Sequence, residues 1–120
     1  KKNSKYLEWG DDMILSRHRI SMDQAIKKLV EEFSEYIKEI YLYGSCARGE
    51  QKFSSDVDLF VRVKENTPSR VLRKMRVEAM PDESNLPEVD LKFTSGEEFS
   101  QSYRFNENIK KEGKLIWKKD

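Results

Sequence analysis

The chain has 120 residues, enough for one domain with a single hydrophobic core and too few for two. Lys and Arg (23) nearly balance Asp and Glu (22), so the net charge of +1 provides no overall field that would attract nucleic acid or anionic lipid. Apolar runs such as residues 40–43 are far shorter than the roughly 20 residues that span a bilayer, and residues 1–4 precede no apolar stretch typical of a secretion signal. We therefore expect a cytoplasmic protein with neither a membrane nor a nucleic-acid partner.

The first clear element is a helix from Ser21 to Lys38. Apolar residues recur along it at helical spacing, with Lys and Glu on the opposite face. Ser21 and Gln24 have the spacing of an N-terminal capping box. Residues 1–20 are expected to form an arm or a short helix, and residues 21–120 a single domain. His18 is expected to be a surface or arm residue and not a catalytic base.

A buried strand is predicted over residues 40–43 from their β-branched and aromatic side chains. Gly44-Ser45 follows directly and predicts a tight turn into a short helix over about residues 45–50. Such a junction presents free backbone N–H groups and the positive end of a helix dipole, which together favour an anion. Gly44 would allow a phosphate to approach closely, and the hydroxyl of Ser45 would add a donor. Cys46 is expected to be a small buried residue.

Residues 56–64 alternate between apolar and polar side chains, which predicts a strand with two different faces. Asp56 and Asp58 share its polar face and lie roughly 6–7 Å apart along the strand. Residues 88–93 predict a third strand, with Asp90 on its polar face. If these two strands are neighbours, the three carboxylates meet at one place.

The remaining segments are predicted to be mainly helical. One helix has Thr67 as its N-cap and Pro68 as its first residue. Further helical segments begin at Ser95 and end at Gly113, and residues 115–117 form a short apolar clip. Helices alternating with strands in this order indicate a small mixed α/β (α+β) layer structure.

Three clustered carboxylates would repel one another unless a proton or a cation were present. Two carboxylates at about 4 Å repel by about 4 kcal/mol at an effective dielectric near 20. Donor groups that are all oxygen select hard ions, above all Mg²⁺, with Mn²⁺ tolerated. A phosphate cradle beside such a metal site predicts a metal–polyphosphate ligand and phosphoryl or nucleotidyl transfer.

Several other sites are excluded or left open by the same residues. Gly44 and Gly49 have the spacing of a Walker A loop, but Glu50-Gln51 stand where Lys-Ser/Thr is required. One cysteine and one histidine exclude an internal disulfide and the usual structural zinc sites. Arg48 could contact phosphate or form a salt bridge with Glu50. The basic run 70–76 is interpreted as a solvated helix face or a partner surface.

The spacing of these motifs resembles the signature of the nucleotidyltransferase superfamily of polymerase beta and kanamycin nucleotidyltransferase. Ten residues separate Gly44-Ser45 from Asp56-Val57-Asp58, and Asp90 matches the family's third carboxylate. The fuller text of both motifs looks like the bacterial minimal nucleotidyltransferases: Tyr43-Gly44-Ser45-Cys46-Ala47-Arg48-Gly49-Glu50 and Ser55-Asp56-Val57-Asp58-Leu59-Phe60-Val61.

The resemblance implies a mixed sheet flanked by helices and a role for each motif. Asp56 and Asp58 would hold two Mg²⁺ ions, while Asp90 would share one of them and help to deprotonate the acceptor hydroxyl. Gly44 and Ser45 would hold the phosphates of the nucleotide. The minimal family also resembles the antitoxin half of toxin–antitoxin pairs, in which a HEPN-domain ribonuclease is modified on tyrosine.

Three functions follow from the motifs and the resemblance. The first is transfer of AMP from Mg·ATP to a hydroxyl on a partner protein, since a chain this short is expected to leave the acceptor site to a partner, a second copy in a homodimer, or the surface around the strand ends. The second is a non-catalytic module that masks a HEPN-like partner. The third is transfer to a small molecule such as an antibiotic hydroxyl.

Overall fold

The alternation of helices and strands is present in the computed structural model, which describes residues 15–95 and 112–120. The elements in chain order are α1 (Ser16–Phe33), β1 (Ile37–Tyr43), α2 (Ser45–Arg48), β2 (Val57–Val63), α3 (Ser69–Ala79), β3 (Val89–Thr94) and β4 (Lys114–Lys118). The predicted α/β class is therefore confirmed. Within the described ranges, no helix is both long and apolar enough to cross a lipid bilayer.

The four strands form one mixed sheet in the order β3-β2-β1-β4. β1 runs antiparallel to both of its neighbours, and β2 and β3 run parallel with α3 between them in sequence. A parallel pair needs such a crossover, because the chain must return to the end of the sheet at which the first strand began. The parallel arrangement puts the beginnings of β2 and β3, where Asp58 and Asp90 lie, at the same end of the sheet.

One face of the sheet packs against helices and forms the hydrophobic core. Alternation along each strand directs its apolar side chains to this face, and α1 and α3 contact each other there. The fully buried members of this core with the largest side chains are Met22, Ile26, Leu29, Ile37, Ile40, Leu42, Leu59, Met75, Leu91 and Ile116.

The opposite face of the sheet, here called the polar face, carries the alternate residues of the strands. Phe60 lies on this face, as predicted, yet it is buried. Its ring centroid is 6.4 Å from those of both Tyr41 and Tyr43, and the Tyr43 ring meets it edge-on. This aromatic cluster separates the acidic end of the face from Arg62 at the other end.

The limits of the first helix and strand differ from the prediction. α1 begins at Ser16 and ends at Phe33, not at Ser21 and Lys38. β1 begins at Ile37, three residues before the predicted start of the strand, and ends at Tyr43 as predicted. Ser21 does not cap a helix, because its hydroxyl donates a hydrogen bond to the carbonyl oxygen of Pro87 at 2.8 Å. His18 is fully buried within α1, so its expected surface position is wrong.

Two further predictions need correction. α3 begins at Ser69, because Pro68 is the extended N-cap residue, and the Thr67 hydroxyl bonds to the carbonyl of Lys64 at 2.7 Å. The apolar clip over residues 115–117 is part of β4, which pairs with the edge of β1. The helical segments predicted after Ser95 lie outside the described residues, apart from their final residues.

Candidate active site

The turn after β1 requires glycine for two separate reasons. Gly44 has φ 76° and ψ −156°, a combination that is essentially restricted to glycine. A Cβ atom at this position would lie 2.5 Å from Oδ2 of Asp58. The carboxylate of Asp58 therefore lies directly against the backbone of Gly44, and the turn and the acidic residue form one site.

The backbone beyond this turn presents donors at the same end of the sheet. The first helical hydrogen bond of α2 runs from the Arg48 N–H to the carbonyl of Gly44 at 3.2 Å. The N–H groups of the preceding residues, from Ser45 to Ala47, consequently have no acceptor within this short helix. They are candidates for the backbone donors predicted at Gly44-Ser45.

Asp58 and Asp90 lie side by side on the polar face. They are register partners in the parallel β2–β3 pair, and Tyr43 is the partner of Asp58 across β1. Partners in adjacent strands project from the same face of a sheet. Asp56 immediately precedes β2 and is exposed, and its charge acts on Asp58. The three acidic residues singled out in the sequence are thus gathered at one end of the polar face.

Burial and mutual repulsion destabilise the ionised carboxylates at this end of the face. The pKa of Asp58 is raised to about 6, first by burial and then by the charges of Asp90 and Asp56. Burial also raises the pKa of the Tyr43 hydroxyl, and Asp58 and Asp90 raise it further. A carboxylate with a pKa this far above its ordinary value lies where a cation would be stabilised.

Cys46 connects α2 to the start of β2. Its side chain is fully buried, as predicted, and Sγ donates a weak hydrogen bond to the carbonyl of Asp56 at 3.7 Å. Burial, together with the charges of Asp58 and Asp56, raises the pKa of this thiol to about 12. The thiol is therefore protonated at neutral pH and acts as a packing residue.

The positive charges of Lys92 and Arg48 offset part of the rise in the pKa of Asp58. Of these two residues, only Arg48 was singled out in the sequence. Arg48 forms the anticipated salt bridge with Glu50 at 2.9 Å and a second one with Glu112 at 3.1 Å. Lys92 forms a salt bridge with Asp90 at 3.2 Å and was missed. The signal was available, because positions two apart on a strand face the same side.

The donor groups at this site suit a hard cation, since all three are carboxylates. As the side chains stand in residues 15–95 and 112–120, no three acidic, His or Cys side chains are grouped closely enough to hold a metal ion. Lys92 supplies the positive charge beside Asp90. The carboxylates therefore match Mg²⁺ in chemistry, and binding it would require them to draw together.

Comparison with known proteins assigns the chain to a family. No curated protein matches the sequence. One solved structure that matches is described as a "putative nucleotidyltransferase" from Sulfolobus solfataricus, with 21% identity, a TM-score of 0.57, and coverage of 94% of this chain and 93% of that one. At that identity the likeness shows a shared fold. The sequence matches the family profile "Polymerase beta, Nucleotidyltransferase" over residues 24–120, so the chain belongs to the polymerase beta-like nucleotidyltransferase family.

Proposed function

We propose that the protein transfers a nucleoside monophosphate, AMP from ATP, to an acceptor hydroxyl in a Mg²⁺-dependent reaction. The observation that carries the proposal is the placement of Asp58 against Gly44 and beside Asp90, within a member of the nucleotidyltransferase family. Carboxylates next to a glycine turn with free N–H groups suit a ligand that combines polyphosphate with a divalent cation. We propose Asp56, Asp58 and Asp90 as the residues that would hold Mg²⁺.

In the proposed reaction the acceptor oxygen attacks the α-phosphorus, and the bond from that phosphorus to the bridging oxygen of pyrophosphate breaks. Mg²⁺, when bound, would neutralise charge on the phosphates. The backbone N–H groups after Gly44 and the hydroxyl of Ser45 orient the triphosphate. Asp90 accepts the proton of the acceptor hydroxyl, and pyrophosphate leaves with its electron pair.

The acceptor that we propose is a hydroxyl on a partner protein of the HEPN type. Support for this part comes from the resemblance of the two motifs to the minimal nucleotidyltransferases. A small-molecule hydroxyl is the alternative acceptor for the same chemistry. Neither acceptor changes the roles of Asp58 and Asp90.

The test is transfer of label from α-³²P-ATP in the presence of Mg²⁺ and a HEPN-domain partner protein. Asp58→Asn should abolish transfer, because the carboxylate against Gly44 is removed. Asp82→Asn is the matched control, since the Asp82 side chain is 84% exposed and is paired with Lys28 away from the site. Tight nucleotide binding without any transfer by the wild-type protein would exclude the proposal.

A second function is favoured by the charge pairing within the site. Lys92 pairs with Asp90, and Arg48 is held by two glutamates, so neither cation needs a nucleotide as its partner. The protein would then act as a binding module that masks its partner. The double variant Asp56→Ala/Asp58→Ala separates the two functions: full neutralisation of the partner supports masking, whereas binding without neutralisation supports catalysis.

A further inference from the structure

The position of Lys92 allows its ammonium group to pair either with the acidic residues or with a bound ligand. Alternation along β3 puts it on the polar face, two positions beyond Asp90, and its register partner on β2 is the buried Phe60. Its side chain is 51% exposed, and its ammonium group turns back to contact Asp90 Oδ2 at 3.2 Å. The charge is thus at the acidic end of the face and still open to solvent.

The two cations near Asp58 differ in how firmly they are held. Arg48 donates to two carboxylates, those of Glu50 and Glu112. In the described part of the chain, Lys92 forms its salt bridge with Asp90 alone, and both partners are about half exposed. Exposed pairs of this kind contribute little to stability and exchange readily. Breaking the salt bridge of Lys92 should therefore cost less free energy than breaking those of Arg48.

A divalent cation at Asp90 would compete with Lys92 for the same oxygen atoms. The ammonium group and the metal repel each other, and the flexible side chain of lysine can turn away at little energetic expense. The polyphosphate proposed at the Gly44 turn would then be a new anion for the released ammonium group, since Asp58 lies between that turn and Asp90. Lysine suits this role, because it binds phosphate as a compact point charge.

We infer that Lys92 is a phosphate-binding residue that pairs with Asp90 in the free protein and transfers its ammonium group to the triphosphate when metal–nucleotide binds. This inference rests on the proposed function, and it adds a residue that none of the motifs contains.

The experiment compares Lys92→Met with Lys28→Met, because Lys28 forms a similar exposed bridge with Asp82 at 3.1 Å, far from the acids. In the absence of nucleotide, Mn²⁺ binding followed by electron paramagnetic resonance should become about three- to tenfold tighter in Lys92→Met, since a competing cation is removed. Binding of adenosine 5′-(α,β-methylene)triphosphate with Mg²⁺ should become about tenfold weaker, since a charged phosphate contact is lost. Lys92→Arg should restore most of the nucleotide binding.

Opposite changes in the two affinities support the inference. Weaker Mn²⁺ binding in Lys92→Met, or nucleotide binding equal to that of Lys28→Met, would overturn it. If the wild-type protein transfers label and Lys92→Met behaves like Lys28→Met, this inference alone fails. If both affinities change as expected and the wild-type protein transfers no label, the proposed function alone fails.

Discussion

Asp58 and Asp90 lie side by side as register partners of two parallel strands, and the carboxylate of Asp58 packs against the backbone of Gly44. The arrangement raises the pKa of Asp58 to about 6, mainly through burial. A packed protein holds such a carboxylate ionised at neutral pH only at the expense of stability. The candidate site is consequently a place where ligand binding and folding stability are linked.

The first prediction concerns Asp58→Asn in the metal-free protein. Because the pKa of Asp58 is above its ordinary 3.8, the folded state binds the proton more tightly than the unfolded chain, and stability falls as the pH rises from about 4 to about 6. Above this window, Asp58→Asn should exceed the wild-type free energy of unfolding by about 1–2 kcal/mol, a value reduced for its half-exposed position. Below pH 4 the difference should disappear. Urea unfolding in EDTA, at pH 7.5 and again below pH 4, measures this difference in the free energy of unfolding.

Asp56→Asn is the matched control for this prediction, because Asp56 is exposed at the start of the same strand. Its free energy of unfolding should stay within about 0.5 kcal/mol of the wild-type value at both pH values. If Asp58→Asn were the less stable protein at pH 7.5, the acidic cluster would not be a source of strain.

The second prediction concerns Gly44→Ala. The backbone conformation at Gly44 excludes a side chain, and the added Cβ would displace the Asp58 carboxylate. We expect a loss of about 1–3 kcal/mol in the free energy of unfolding, together with loss of nucleotide binding. Gly49→Ala serves as the control for backbone strain, since Gly49 also has a positive φ of 72° at the end of α2.

Urea unfolding and calorimetric nucleotide titration distinguish the two glycine variants. Gly49→Ala should lose stability by about 1 kcal/mol, as expected for a residue with a Cβ in the left-handed region, and should still bind nucleotide. Equal nucleotide binding by both variants would show that contact between Gly44 and Asp58 does not matter for the site.

The positions of the candidate site residues in the fold could be predicted because they depend on short-range rules. Strand alternation places Asp56 and Asp58 on one face, and a strand that stops at Gly44 before a short helix predicts the turn. Asp90 needed one further fact, that β2 and β3 are neighbours. The resemblance to the family implied this, and the register of the two strands confirms it.

The features that were missed depend on contacts between distant parts of the chain. Ser21 has the spacing of a capping residue, but a hydrogen bond to Pro87, 66 positions away, gives it another role. β4 is a strand because the edge of β1 is available for pairing, and its short apolar run alone does not indicate this. His18 is polar and isolated in sequence, yet it is buried where α1 is hydrogen-bonded to the segments before β2 and β3, at Ser55 and Pro87.

The third prediction concerns the far end of the polar face. Glu39 Oε1 accepts hydrogen bonds from the Arg62 Nε–H at 2.9 Å and from the Tyr41 hydroxyl at 3.0 Å. The Glu39 and Arg62 side chains are only 15% and 16% exposed. Removing one charge from a largely buried pair leaves the other unpaired, so Arg62→Met should reduce the free energy of unfolding by about 2–4 kcal/mol.

Lys28→Met again provides the control, because the Lys28–Asp82 bridge is exposed and should be worth less than about 1 kcal/mol. Chemical denaturation at pH 7 compares the two variants with the wild-type protein. Equal losses in both would show that the burial of Glu39 and Arg62 adds nothing to the strength of their pairing.

The fourth prediction concerns His18, which links α1 to the start of β2. Its Nε2 lies 2.8 Å from the carbonyl oxygen of Ser55, and since a carbonyl only accepts, Nε2 carries the proton and donates it. Ser55 directly precedes Asp56, so this bond holds the backbone at the entrance to the site. His18→Phe preserves a buried ring and removes the donor. The free energy of unfolding should fall by about 1–3 kcal/mol, because the carbonyl is left without its partner.

Ser21→Ala is the comparison for His18→Phe, since it removes a similar hydrogen bond from α1 to the loop before β3. Each variant should lower stability, and each should weaken nucleotide binding through the strand that it anchors.

The double variant should lose about as much stability as the two single variants together if the two loops are held independently. A smaller loss would mean that α1 positions both strands as one unit, as the hydrogen bond from the Val57 N–H to the Glu88 carbonyl at 2.9 Å suggests. Unchanged stability and binding in His18→Phe would show that the buried histidine only fills space.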